Sequence, residues 1–274
     1  MTLTFLDLKD IAEGGQIASG GQTASGGQIA SGGQITSEQI ELVNPTSPEK
    51  ILEIGRLAGM MQGKSVIDFG CGYAEPLVLW AEAFGITGTG IELRPKAAAR
   101  ARLKIEQRGL AGRLEVVQGK GAEYAFEPGS FDFSACIGAS FVWDDLPQAL
   151  QALKRAIRSE GRIILGEVYW LKDAVPPDLA QAQTAIHSET WLLQAFRQAG
   201  LETGYVIHSN HDDWDRYEAS NWRDLLRWIE ANPAHPDLPQ VIEHLHESQD
   251  EYFRYGREYF GWALYLLQPD RNSK

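Results

Sequence analysis

Val66 to Pro76 reads VIDFGCGYAEP. An apolar run ends in an acid, a Gly-Cys-Gly turn follows, and a Glu-Pro pair opens the next apolar run. A strand that becomes a helix across two glycines leaves its backbone open to close approach by a ligand, and it commits the chain to an α/β unit. The same alternation continues. GTGIE (88–92) predicts a second strand, a helix runs from Pro95 to Gln107 with Gly109 closing it, LEVVQ (114–118) is a third strand and FDFSACIG (131–138) a fourth. Leu146, Ala149, Leu150, Leu153, Ala156 and Ile157 share one face of a helix over 145–159. RIILGEVYW (162–170) is a fifth strand, 188–199 a helix and LETGYVIHS (201–209) a sixth strand. Upstream, Ser47-Pro-Glu caps an amphipathic helix carrying Ile51, Ile54 and Leu57, and helix 75–84 has Pro76 in its first turn and Gly85 as its stop. Strands alternating with helices imply right-handed βαβ units and a doubly wound, mostly parallel sheet covered on both faces.

Both ends break the rhythm. Residues 210–257 read as helical, rich in aromatics and charge, with breaks at Pro233, Pro236 and Pro239; YFGWALYLLQ (259–268) then closes the chain as a strand. If that strand pairs beside the sixth, the residues between form a helical insertion, or cap, at the sheet edge. Residues 14–37 are a hexapeptide, GGQ(I/T)(A/T)S, repeated four times. Such a period suits a left-handed β-helix, but four units make little more than one coil, and the Gly-Gly pairs resist ordering. The tract reads as a disordered linker, so that 1–37 is an extension and 38–274 the folded domain; the fragment before the repeats, TFLDLKDIAE, reads as a short helix without an assigned purpose.

The 274 residues are 43% hydrophobic with a net charge of −12, enough for a sizeable core and too acidic to favour nucleic acid or anionic lipid as partner. No apolar run is long enough to span a membrane, and MTLTFLDLKD lacks the apolar core of a signal peptide. The two cysteines, Cys71 and Cys136, make no disulfide framework. The expectation is a cytoplasmic protein that binds a small molecule, with no nucleic acid and no membrane.

The first turn narrows the ligand. Gly70 and Gly72 admit a close approach, and Glu92 ends the second strand twenty residues after Gly72, where a carboxylate can accept both hydroxyls of a ribose. A dinucleotide fingerprint wants glycine at position 75. Glu75 stands there, and a carboxylate at a helix N-terminus repels a diphosphate but suits the ammonium and sulfonium charges of S-adenosylmethionine.

With these features VIDFGCGYA resembles the first motif of the class I S-adenosylmethionine-dependent methyltransferases, and Glu92 falls on that family's ribose-binding acid. GKGAEYAFEPGSFD (119–132) has the spacing of the motif between strands three and four, and EGRIILGE (160–167) resembles the one entering strand five. GITGTGIE, WDRYEASNWRDLLRWIEANP and YGREYFGWALYLL look like a small group of bacterial methyltransferases. The resemblance covers about residues 38–274 and implies seven strands in the order 3-2-1-4-5-7-6, the last antiparallel. It implies S-adenosyl-L-methionine as cofactor, with Asp68, Gly70, Cys71, Gly72, Glu92, Leu93, Gly121, Ala122, Ile137 and Gly138 as the candidate contacts. One position departs: Lys120 stands where the family often has the Asp that accepts the adenine amine, leaving the backbone of Gly121 and Ala122 for that edge.

Methyl transfer from a sulfonium needs positioning and exclusion of water, not a nucleophile or a metal. The loop after strand four and the end of strand five should face the methyl group. Trp143, Trp170, Trp214 and Tyr217 are the candidate acceptor wall, with hydrophobic packing as the plainer reading of each. Glu167, Tyr169 and His208 are the candidate catalytic groups. His208 and His211 with neighbouring acids resemble a loose metal cluster, but loop histidines more often face solvent, and no metal is expected. Neither the Asp/Asn-Pro-Pro-Tyr/Phe motif of base amino-methyltransferases nor a Pro-Cys nucleophile is present. The reading is a methyltransferase for a small-molecule acceptor. A non-catalytic S-adenosylmethionine-binding module and an NAD(P)-dependent oxidoreductase are its alternatives, and the aromatic insertion could instead bury a homo-oligomer interface.

Overall fold

In the computed structural model, which describes Leu8, Ile11 and residues 42–270, the sheet grows outward from its first strand. β1 (Ser65–Phe69) pairs in parallel with β2 (Thr87–Glu92) on one side and β4 (Phe131–Ile137) on the other. β3 (Leu114–Gln118) lies beyond β2, and β5 (Ile157–Trp170) beyond β4. The closing strand β8 (Phe260–Pro269) runs antiparallel between β5 and β7 (Leu201–His208), which gives the order β3-β2-β1-β4-β5-β8-β7. The seven-strand order implied by the resemblance is present. It gains one short element, β6 (His187–Ser188), whose two residues pair with Tyr169 and Trp170.

The helices begin where capping chemistry puts them. Ser47 accepts the Lys50 N–H ahead of α1 (Pro48–Ala58), and Gly59, with φ +80°, closes it. α2 (Glu75–Phe84) and α3 (Pro95–Gln107) have the bounds read from the sequence. α4 (Leu146–Ala156) is capped by Asp145 and ends three residues short of the expected 159. Ile157 is the reason: its β-branched side chain suits either a last helical turn or a first strand position, and here it pairs with Phe131 and starts β5. α5 (Pro177–Ala182) was not legible in the sequence; α6 (Glu189–Gln198) was.

Two cores follow from the alternation of strand side chains. On one face Ile51, Ile54, Leu77, Trp80 and Ile105 from α1, α2 and α3 pack over Val66, Ile137, Ile164 and Trp262. On the other, Leu150 and Leu153 of α4 and Leu192 and Phe196 of α6 pack under Ile67, Phe69, Leu165 and Tyr265. The insertion is helical as expected: α7 (His211–Ala231) opens with a reciprocal Asn210–Asp213 capping box, α8 (Leu238–Glu251) follows the proline-rich break, and a π-turn (Tyr252–Gly256) and α9 (Arg257–Tyr259) lead into β8. The cap has its own small core of Leu225, Trp228, Val241 and Leu245, and buried Leu8 and Ile11 complete it. The fragment without an assigned purpose therefore supplies two residues of the cap core. The repeats of 14–37, expected to be a linker, lie outside the described residues. Among the described residues no helix is long and apolar enough to cross a membrane.

Candidate active site

The first turn lies at the C-terminal edge of the sheet. Gly70 (φ +71°), Gly72 (φ +55°) and Ala74 (φ +57°) take the left-handed conformation in alternation, and this folds the chain from β1 into α2. Both glycines are also crowded by the protein itself. A Cβ on Gly70 would collide with Ala139 in the loop after β4, and one on Gly72 would stand 3.1 Å from Val43 Cγ2. Glu92 fixes the turn from the end of β2: its Oε2 accepts the Gly72 N–H at 2.9 Å and its Oε1 the Arg94 N–H at 2.8 Å. Oε1 also accepts the Arg94 Nε–H at 3.2 Å, so Oε2 is the oxygen that keeps a lone pair for a hydroxyl.

Asp68, near the end of β1, is buried. Burial, then the nearby Glu92 charge, raises its pKa to about 7, and Oδ1 has no hydrogen-bond partner. Glu75, which the sequence reading set against a diphosphate, is buried too, and Lys104 holds its Oε2 at 2.6 Å. Burial raises the Cys71 and Cys136 thiols well above their ordinary value, so neither is a ready nucleophile. On the far side of β1, Gly121 and Ala122 form a short 3-10 turn bordering a cavity of about 230 Å³ with Phe69, Phe126 and Trp143. Lys120 points to solvent and pairs with Glu123 at 2.7 Å.

The chain and its fold are similar to known proteins. A methyltransferase-domain family model matches residues 67–165. The chain is 31% identical over 229 residues to YjhP of Escherichia coli K12, covering 82% of this chain and 92% of that one. It superimposes with a TM-score of 0.78 on a Geobacter sulfurreducens S-adenosylmethionine-dependent methyltransferase solved with S-adenosylhomocysteine, at 32% identity, covering 83% of this chain and 93% of that one. The chain belongs to the class I S-adenosylmethionine-dependent methyltransferases. A shorter match, 34% identity over 103 residues, is to a nocamycin O-methyltransferase of Saccharothrix syringae, covering 37% of this chain and 36% of that one.

The site of this methyltransferase fits the family's cofactor. A buried carboxyl with an unpartnered oxygen beside the first turn suits an ammonium, and a fixed acid at the end of β2 suits a ribose. Leu93 follows Glu92 with half of its surface exposed, Ile137 ends β4 and Gly138 follows it. The remaining candidates fall on two faces of the sheet. Trp170 packs on Phe260, Phe260 on Trp214, and Trp214 on Tyr217 and Tyr252, with ring centroids 5.5–6.5 Å apart, which makes one aromatic wall from the end of β5 into the cap. Trp143 is not part of that wall; it packs edge-on against Phe69 at 5.2 Å on the opposite face. Tyr169 and His208 are on that opposite face as well. His208 Nε2 is 2.7 Å from Glu189 Oε1, which also accepts the Tyr265 hydroxyl at 3.0 Å, and Tyr169 lies edge-on to the His208 ring. Burial, with Glu189, pushes the Tyr169 hydroxyl up to about 12. Glu167 is half-buried beside Ser140; desolvation raises its pKa against hydrogen bonds from Ser140 and the Val168 N–H, and its buried Oε2 has no partner.

Sequence reasoning missed the roof over the first turn. Residues 43–46 run from Gly72 to the start of α7, where the Thr46 carbonyl accepts from Arg216 and buried Asp213 takes both Lys50 and Arg216. The Asn210–Asp213 capping box was readable, but nothing local marks Asn44 and Thr46 as roof residues.

Proposed function

We propose that this methyltransferase acts on a small-molecule acceptor bound at the C-terminal edge of the sheet. The observation that carries this reading is the roof. Residues 43–46 pass over Gly72, and the Thr46 carbonyl, Lys50 and Arg216 tie this segment and α1 to the start of α7 around Asp213. A first turn covered in this way, on a chain of net charge −12, suits a small molecule better than a nucleic acid strand. The similarity to a nocamycin O-methyltransferase supports the same class of acceptor.

S-adenosylmethionine, when bound, supplies a methyl group as an electrophile. Glu92 would hold the ribose hydroxyls, Asp68 the ammonium, and the backbone of Gly121 and Ala122 the adenine edge. Trp170, Trp214 and Tyr217 exclude water on the acceptor side. Glu167, with its raised pKa and unpartnered oxygen, is the group able to take a proton beside the loop after β4.

The test incubates the full chain with methyl-labelled S-adenosylmethionine and a fractionated cell extract. Label in the small-molecule fraction supports the reading; label confined to nucleic acid or protein contradicts it.

A further inference from the structure

Buried polar atoms in a folded protein are nearly always hydrogen-bonded, so a cluster of unpartnered ones marks a place where something else supplies the bonds. Several such atoms lie around the roofed crevice: Asn44 Oδ1 and Thr46 Oγ1 on the roof, Trp214 Nε1 on α7, and Ser209 Oγ and Trp262 Nε1 beside the end of β7. Asn44, Thr46 and Trp262 are themselves more than nine-tenths buried.

Independent contacts link these residues in part. Thr46 is bonded to Arg216, two residues beyond Trp214, and Ser209 N donates to the Trp262 carbonyl at 2.9 Å. Trp214 and Trp262 belong to the same apolar cluster. The Trp262 ring lies 2.8–2.9 Å from where Cβ atoms on Gly138 and Gly166 would stand, which puts it against the ends of β4 and β5. The groups thus approach from the roof, the cap and the sheet.

Their chemistry is selective. Indole N–H groups only donate, hydroxyls donate or accept, and an amide oxygen accepts. The charged groups around them are already engaged: Lys50 and Arg216 by Asp213, Arg94 by Glu92, and Glu75 by Lys104. Asp68 is assigned to the cofactor. Glu167, whose Oε2 also lacks a partner, is assigned to proton transfer, so among these described residues no charge is assigned to recognising a carboxylate, a phosphate or an amine.

We propose that these five residues line the acceptor pocket and select an uncharged molecule presenting hydroxyl or carbonyl oxygens beside an apolar face. The oxygens meet Trp214, Trp262, Thr46 and Ser209, a hydroxyl donates to Asn44, and the apolar face lies on the aromatic wall. This inference rests on the methyl-transfer reading of the crevice.

The test uses the full chain saturated with S-adenosylhomocysteine and four single-ring probes: benzyl alcohol and acetophenone against benzoate and benzylammonium, with ligand-observed NMR as readout. Benzyl alcohol and acetophenone should bind and compete with each other, and the charged probes should bind about tenfold more weakly. Thr46→Val and Trp262→Phe keep most of the shape and remove one donor each. Each should weaken the neutral probes by about fivefold while leaving the S-adenosylhomocysteine Kd within about threefold. Absent binding of either neutral probe, equal or tighter binding of a charged one, or neutral binding unchanged in both variants overturns the inference. Failure of the wild-type chain to bind S-adenosylhomocysteine is a separate outcome; it removes the methyl-transfer reading and this inference with it.

Discussion

At the scale of single residues the site rests on two carboxylates in opposite situations. Glu92 is held on both oxygens by N–H groups of Gly72 and Arg94, while Asp68 keeps an oxygen with no partner. If Glu92 holds the ribose, Glu92→Ala should weaken S-adenosylhomocysteine by about 2 kcal/mol, read by calorimetry on a folded variant. Unchanged affinity would remove it from the site. Asp68 makes affinity depend on pH. Its folded pKa of about 7 stands above the ordinary 3.8, so it is neutral in the cofactor-free protein below pH 7 and its burial lowers stability as pH rises from about 4 to 7. An ammonium ligand needs the ionised form, so affinity should rise about tenfold from pH 6 to pH 8 and become flat in Asp68→Asn. A flat wild-type profile would show that Asp68 does not face the ligand's charge. The first turn was legible because its chemistry is local: two glycines, a flanking acid and a second acid at fixed spacing. The closeness of Ala139 to Gly70, the pairing of Glu75 with Lys104 and the separation of Trp143 from the other aromatics depend on residues far along the chain, and no local pattern carries them.

At the scale of elements the cap is the least conventional part. Trp214, Glu218 and Trp222 repeat at helical spacing along α7, with the Tyr252 ring against both indoles. Burial, then the facing Glu251, raises the Glu218 pKa from 4.5 to about 7. A folded pKa above the unfolded one means that stability is lost as pH rises through that window. Glu218→Gln should therefore stabilise the protein at pH 8 by about 1 kcal/mol and have little effect at pH 5, as read by chemical denaturation. Equal effects at both pH values would mean that the carboxyl is solvated. The sequence foretold a helical insertion and its proline break, since both follow from apolar spacing and missing N–H groups. It did not foretell that Asp213 joins α7 to α1 through Lys50, because an ion pair across 163 residues has no sequence period.

At the scale of the whole molecule the chain alternates strand and helix as it reads. Turns, caps and apolar spacing placed β1 to β4 to within a residue and also placed the end of β5, whose start at Ile157 lies ahead of the expected 162. The antiparallel insertion of β8 between β5 and β7 came from family resemblance, since an apolar strand carries no mark of its neighbours. Ile11 is almost fully buried on the cap, far in sequence from Val241 and Leu245. Ile11→Ala should cost about 2–4 kcal/mol of stability, while deletion of 14–37 should leave the melting temperature nearly unchanged if the repeats contribute no core. A harmless Ile11→Ala would detach the N-terminal fragment from the cap. The central claim is that the first turn and Glu92 hold an S-adenosyl nucleoside and not a dinucleotide. The most direct measurement is calorimetric titration of the full chain with S-adenosylhomocysteine and, separately, with NADH and NADPH. Saturable binding of S-adenosylhomocysteine alone is the predicted result; saturable binding of a nicotinamide dinucleotide, with none of S-adenosylhomocysteine, would contradict it.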